Sequence, residues 1–267
     1  MQLFIEHPPY VIAEVGACHN GEFERAIDLL DIAAVSGCRG VKFQLYDADR
    51  LSARRHAPHA RDIYRRYQLP LSWLPALKAQ AKDAHMDLIL SVYDHEDLQN
   101  ALPYADWLKI SSFESADTGL LEAASLCGKN LVVSAGMSVL EDMGRLWHFR
   151  ANSPCRVAIL HCVSAYPAPL HDLNLSVIPH EDLDGFSDHS GQRLTGAVAV
   201  AYGAKILEVH IRDTHTPEDN PDYPHALGPS DLGAYVKAAV SAQVMGGHGR
   251  KEIMPSEQAN VRYRVQG

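Results

Sequence analysis

Eight short, nearly continuous apolar runs recur along the chain, and stretches with helical spacing separate them. Strands without polar alternation are buried on both faces, as parallel sheets require. The runs cover residues 10–15, 40–44, 87–92, 105–110, 131–134, 156–161, 185–187 and 205–210. Helical patterns fall near 22–35, 71–84, 95–102, 118–127, 139–150, 173–178, 194–202 and 229–245, with Ser72 as the expected N-cap of the second. Residues 46–70 read as one long, polar, arginine-rich connection. Strand and helix in strict alternation build βαβ units. Such units form either an open doubly wound sheet or a closed barrel. The open sheet usually carries a G-x-G-x-x-G turn after its first strand. The segment from Gly16 to Gly21 lacks that spacing. A TIM (β/α)8 barrel over residues 1–258 is therefore expected, followed by a tail over 259–267.

In such a barrel the C-terminal strand ends converge on one face, where active sites form. Here those ends carry Glu14, Lys42 with Gln44, Ser91, Lys109, Ser134, His161, Ser187 with His189, and Glu208 with His210. So many titratable and hydroxyl side chains in one ring read as a lined pocket rather than a core.

Composition narrows the function classes. A formal net charge of -9 argues against non-specific nucleic-acid binding. The five cysteines are odd in number, scattered and free of C-x-x-C pairs. That favours a reducing cytoplasm over a disulfide framework. The start of the chain lacks a signal-peptide pattern. No apolar run approaches the roughly 20 residues that span a bilayer.

The residues leave the chemistry partly open. His189 and His210 stand on adjacent strand ends. As neutral imidazoles they can bind a divalent ion, with Glu14 or Glu208 and water completing the shell. They can equally be hydrogen-bonded residues of a metal-free mouth. Two histidines with oxygen ligands suit a manganese-like ion. Lys42 and Lys109 each need a partner at a buried strand end. A bound phosphate or carboxylate, or an ion pair with Glu14 or Glu114, supplies one; a Schiff base is the sharper alternative. Ser91, Ser111, Ser112, Ser134 and Ser187 offer hydroxyls suited to phosphate oxygens or to ordinary strand-end capping. No G-x-S-x-G elbow marks a serine nucleophile.

Taken in order, these residues resemble the N-terminal barrel of the sialic acid synthases, which condense phosphoenolpyruvate with a sugar aldehyde. The resemblance runs through Ile12–Gly16, His19–Gly21, Val41–Gln44, Leu108–Ser112 with Glu114, Ser134–Met137, Leu160–Cys162 with Tyr166, Ser187–His189, Gly203–Glu208 with His210, and Pro255–Glu257. It implies a 2-keto-3-deoxy acid and phosphate as products. It implies His189 and His210 as holders of a divalent ion, Mn2+ or Mg2+. Lys109, Ser112, Ser187 and Ser91 would surround the phosphate end of phosphoenolpyruvate, and Lys42 its carboxylate. Glu14, Gln44 and Tyr166 would face the acceptor or the attacking water, with Glu14 handling the proton. Glu114 and Ser164 complete the expected substrate-binding set; the family often has asparagine at the position of Ser164.

Phe113 replaces a usual glycine, Val209 a usual basic residue, and Asn220–Tyr223 departs from Gly-Pro-Asp. These changes leave the acceptor aldehyde unnamed. The family's C-terminal antifreeze-like domain does not follow the barrel in this sequence. Arg262 and Arg264 of the tail, or the arginines of 50–66, are candidate substitutes for its grip on the acceptor. Barrels of this kind often pair as homodimers. A metal-dependent aldolase or lyase with another donor, and a non-catalytic barrel binding a phosphorylated ligand, are the competing readings.

Overall fold

The computed structural model describes residues 9–265. Its strands are β1 (Tyr10–Glu14), β2 (Gly40–Leu45), β3 (Asp87–Val92), β4 (Trp107–Ile110), β5 (Asn130–Ser134), β6 (Val157–Cys162), β7 (Gly185–Asp188) and β8 (Ile206–His210). Each pairs in parallel with the next, and β8 returns to β1, so the sheet closes into the expected TIM barrel. The helices are α1 (Phe23–Val35), α2 (Ala48–Arg54), α3 (Arg61–Tyr67), α4 (Leu74–Asp83), α5 (His95–Ala101), α6 (Thr118–Ser125), α7 (Leu140–Asn152), α8 (Val177–His180), α9 (Thr195–Ala201) and α10 (Pro229–Gly246).

The period of two along each strand sorts the side chains. Val11, Val41, Phe43, Leu88, Leu90 and Val133 face outward and join the helices in the main core. Fully burying each such side chain contributes about 1.5–3 kcal/mol. Ile12, Ile89, Trp107, Val132, Leu160 and Ile206 face inward with Tyr10 and fill the barrel floor. Tyr10 stacks on Trp107 with ring centroids 4.7 Å apart. Two residues further along each strand, the same inward face carries Glu14, Ser91, Lys109, Ser134, Cys162 and Glu208. Apolar packing below thus fixes the polar layer above.

The connection over 46–70 is more ordered than its sequence suggests. Asp47 caps α2 by accepting the backbone N–H groups of Asp49 and Arg50. Arg50 pairs with Asp94 and Asp97, and Arg65 with Asp49. Leu51 of α2 and Tyr64 of α3 also pack with Tyr46 and Tyr93, but seven residues per helix is too short for an apolar stripe to stand out in the sequence. Ser72 does not cap: it lies in a 3-10 turn, Leu71–Trp73, that leads into α4. Beyond β6, the helix expected over 173–178 is a single turn, α8.

Residues 243–265 are all exposed, and a 3-10 stretch, Pro255–Tyr263, spans the boundary expected at 258. The expected domain limits include residues 1–8 and 266–267, which lie outside the described residues. Among the described residues, no helix is long and apolar enough to cross a membrane.

Candidate active site

Strand register places the charged residues side by side. Glu14 pairs with Lys42 across β1 and β2, and with His210 across β1 and β8. Lys42 Nζ stands 3.0 Å from Glu14 Oε2, 3.4 Å from Glu208 Oε1 and 3.2 Å from Ser91 Oγ. Gln44 Nε2 donates to Glu14 Oε1 at 2.7 Å. Lys109 Nζ donates to Ser134 Oγ at 2.7 Å and to the Ile110 carbonyl at 3.0 Å, while its nearest carboxylate, Glu208, is 4.0 Å away. Glu208 Oε1 also accepts the Ser187 hydroxyl at 2.9 Å.

The two lysines, both buried, are not equivalent. Burial opposes charge on Lys42, but Glu14 and Glu208 outweigh it and raise its pKa. Burial lowers the Lys109 pKa, Glu208 only partly opposes the fall, and repulsion from Lys42 adds to it. Burial works against the Glu208 carboxylate, yet the two ammonium groups bring it down to about 2. Lys109 is thus the cation that the protein leaves short of an anion.

Beside it lies a close backbone approach. Gly136 N–H donates to Ser112 Oγ at 3.0 Å. A Cβ on Gly136 would stand 2.3 Å from Ser164 Oγ, 2.7 Å from Ser112 Oγ and 2.9 Å from Cys162 Sγ. Only glycine lets the β5 end pass so near these groups. Lys109, Ser112, Ser134 and Ser187 share one wall of a cavity of about 360 Å3 at the C-terminal face.

Adjoining them, through Cys162, is a cluster of imidazoles. His189, His210 and His225 have ring centroids 5.5, 6.3 and 4.5 Å apart, taken as 189–210, 189–225 and 210–225. Tyr166 covers them, 4.4 Å from His189 and 5.3 Å from His225. His189 Nδ1 lies 2.8 Å from the Val163 carbonyl. That contact assigns the proton to Nδ1 and frees the Nε2 lone pair. His210 Nδ1 is 3.3 Å from Asp222 Oδ2. Burial lowers the His189 pKa; burial and the nearby His210 bring that of His225 down to about 3. Both rings are neutral near pH 7, the form in which imidazole binds metal.

A divalent ion fits this donor set. Among the described residues, eight buried side-chain polar atoms lack a hydrogen bond, and five belong here: Glu208 Oε2, His210 Nδ1, both nitrogens of His225, and Glu14 Oε2, the last ion-paired with Lys42. Buried polar groups are normally satisfied, so orphans gathered in one place mark a missing partner. His210, Asp222 and His225 alone bring one donor atom each within 4.8 Å of one another.

The cavity thus gathers Lys42, Gln44, Lys109, Ser112, Tyr166, Ser187, His189 and His210. Glu14 and Ser91 sit beneath them, against Lys42. Ser164 lies behind Ser112. Glu114 is held at the rim by Arg55, whose Nη2 donates to both carboxylate oxygens at 2.9 and 3.1 Å, and by the Ser111 hydroxyl. Arg55 lies over the Phe113 ring at 4.6 Å, so the arginine-rich connection does reach the mouth. Arg262 instead lies over Tyr263 in the exposed tail.

His161 is a correction to the sequence expectation. Its ring faces outward, Nε2 2.7 Å from the Leu173 carbonyl and stacked on Phe186; its neighbour Cys162 faces the interior. Sequence reasoning did not select Asp222 or His225 as site residues. They lie on the loop after β8, which a bridge between Ile211 and Leu227 folds back over the mouth. Gly16 admits Asp222: φ is +52°, a Cβ there would stand 2.0 Å from Asp222 Oδ2, and that oxygen accepts Ala17 N–H at 2.7 Å. A second, larger groove of about 950 Å3 runs between α6 and α7. It adjoins the mouth at Ser112 and Phe113 but holds no comparable cluster of charges.

Residues 29–251 match the NeuB family. The spore coat polysaccharide biosynthesis protein SpsE of Bacillus subtilis is 31% identical over 246 residues, covering 84% of this chain and 65% of that protein. The N,N'-diacetyllegionaminic acid synthase of Campylobacter jejuni is 30% identical over 277 residues, covering 94% of this chain and 81% of that one. The crystal structure of N-acetylneuraminic acid (sialic acid) synthetase from Leptospira borgpetersenii, in complex with citrate, has a TM-score of 0.88 at 27% identity. It covers 97% of this chain and 92% of that chain. The chain described here belongs to the NeuB family.

Proposed function

We propose that this protein condenses phosphoenolpyruvate with a sugar aldehyde to give a 2-keto-3-deoxy acid and inorganic phosphate. The observation that carries the reading is an anion-deficient lysine, Lys109, and a histidine cluster lining one cavity. Membership of a family whose relatives include an N,N'-diacetyllegionaminic acid synthase and a sialic acid synthetase supports it.

In this reading Lys109 receives the phosphate end of phosphoenolpyruvate, with the hydroxyls of Ser112, Ser134 and Ser187 beside it. Lys42 faces the carboxylate, its own charge fixed by Glu14 and Glu208. A new bond joins the enol carbon to the aldehyde carbon, and the aldehyde oxygen takes a proton. Water adds to the cation left on the phosphate-bearing carbon. The C–O bond to phosphate then breaks, giving the ketone. Glu14, hydrogen-bonded to Gln44, is the group placed to handle the proton of that water. The ammonium groups, already oriented in a dry site, stabilise the leaving phosphate without reorganisation. His189 and His210 would hold a divalent ion, Mn2+ or Mg2+, which would supply Lewis-acid polarisation of the aldehyde. Arg55 and Tyr166 at the rim face the acceptor, whose identity Phe113 and the loop around Asp222 set.

The test is phosphate release from phosphoenolpyruvate in the presence of a panel of N-acetylhexosamines and other aldoses, with Mn2+ supplied. An aldose-dependent release that His189→Ala and His210→Ala each abolish supports the proposal. Full activity in either variant refutes the assignment of the ion.

A further inference from the structure

We propose that His225 and Asp222 complete the cation site of His189 and His210, with His225 as a direct ligand of the ion. The inference deepens the function proposed above, since it concerns the ion of the same site. It adds a protein ligand that does not lie on a strand end.

His225 is 1% exposed, and neither ring nitrogen has a hydrogen-bond partner. A neutral imidazole always carries one N–H and one lone pair, so a buried ring with both ends unmatched is poorly accommodated as a packing residue. Its surroundings are not apolar. His225 Nε2 stands 3.7 Å from Asp222 Oδ1, and its ring lies 4.5 Å from that of His210. A donor atom from each of the three lies within 4.8 Å of the others. Bonds of about 2.1 Å from a shared cation would draw these donors together through small side-chain rotations. Asp222 is itself anchored, through Oδ2, to the Ala17 N–H, so the carboxylate is oriented before any ion arrives.

The loop that delivers the pair is braced for this. Asp222 N–H donates to Asn220 Oδ1 at 3.0 Å, and Asn220 Nδ2 donates to the Ala17 carbonyl at 2.9 Å. The donor set also sets the class of ion. Imidazoles together with one carboxylate suit Mn2+, Fe2+, Co2+ or Zn2+, whereas Mg2+ prefers a shell of oxygens and water.

Chelator-treated full-length protein is titrated with Co2+, Mn2+ and Mg2+ by calorimetry, as wild type, His225→Ala and His225→Gln. The number of imidazole nitrogens coupled to bound Mn2+ is counted by pulsed electron paramagnetic resonance. Expected are Co2+ and Mn2+ binding well above Mg2+ in the wild type, at least a tenfold weakening in both variants, and the loss of one coupled nitrogen. The glutamine variant keeps the site filled and carries the test if the alanine variant does not fold. Unchanged affinity and an unchanged nitrogen count would overturn this assignment while leaving the proposed reaction intact. A wild-type protein that binds none of the three ions would overturn both.

Discussion

Replacing either buried lysine by methionine removes one positive charge and little volume, yet the two changes should differ sharply in stability. Lys42 Nζ lies 3.0 Å from Glu14 and 3.4 Å from Glu208. Lys42→Met strands both carboxylates in a buried site, a loss that typically costs about 3–5 kcal/mol. Lys109 has no carboxylate nearer than 4.0 Å, and its hydrogen bonds go to neutral oxygens. Their loss costs about 1–2 kcal/mol, offset by removing an incompletely paired ammonium from an apolar surround. A chain of this length moves by about 2–4 °C per kcal/mol. Differential scanning calorimetry should therefore show Lys42→Met melting about 6–20 °C below wild type and Lys109→Met within about 4 °C of it. A Lys109→Met protein that melts as low as Lys42→Met would refute the reasoning that Lys109 awaits a ligand's charge.

Three further outcomes follow from the same geometry. Because the Lys109 pKa is lowered in the free protein and an anion raises it, phosphoenolpyruvate binding should take up a proton and weaken as pH rises toward the ordinary lysine pKa of about 10.4. Calorimetry in two buffers of different ionisation heat reads the uptake, and Lys109→Met should lose it. Gly136→Ala places a methyl among Ser112, Ser164 and Cys162, so it should raise the Kd for phosphoenolpyruvate about tenfold or more while the barrel still folds; an unchanged Kd would remove Gly136 from the phosphate wall. Arg55→Ala should raise the KM for the aldose without altering the phosphoenolpyruvate Kd, and steady-state kinetics with each substrate varied in turn separates the two.

The barrel was legible in the sequence because parallel strands are apolar on both faces and helices must separate them. The polar layer was legible because it lies at the ends of those runs. What the runs could not reveal was which of two adjacent residues points inward. A shift of one position exchanges the faces of a strand, and so His161, rather than Cys162, stood in the expected ring. Helices α2 and α3 escaped notice because each spans only seven residues and sets few apolar side chains among many arginines. Asp222 and His225 escaped for another reason: a loop residue is placed by tertiary contacts, here the Ile211–Leu227 bridge and the space beside Gly16. Pro217, Pro221 and Pro224, all within the loop, were a local hint of a fixed conformation.

Titration of phosphoenolpyruvate into the Mn2+-loaded protein bears most directly on the proposed reaction, and it needs no knowledge of the aldehyde. Saturable binding in the wild type, weakened about 10- to 100-fold by Lys109→Met, is the expected result. A folded, Mn2+-loaded protein that shows no heat of binding would contradict the donor assignment and with it the condensation.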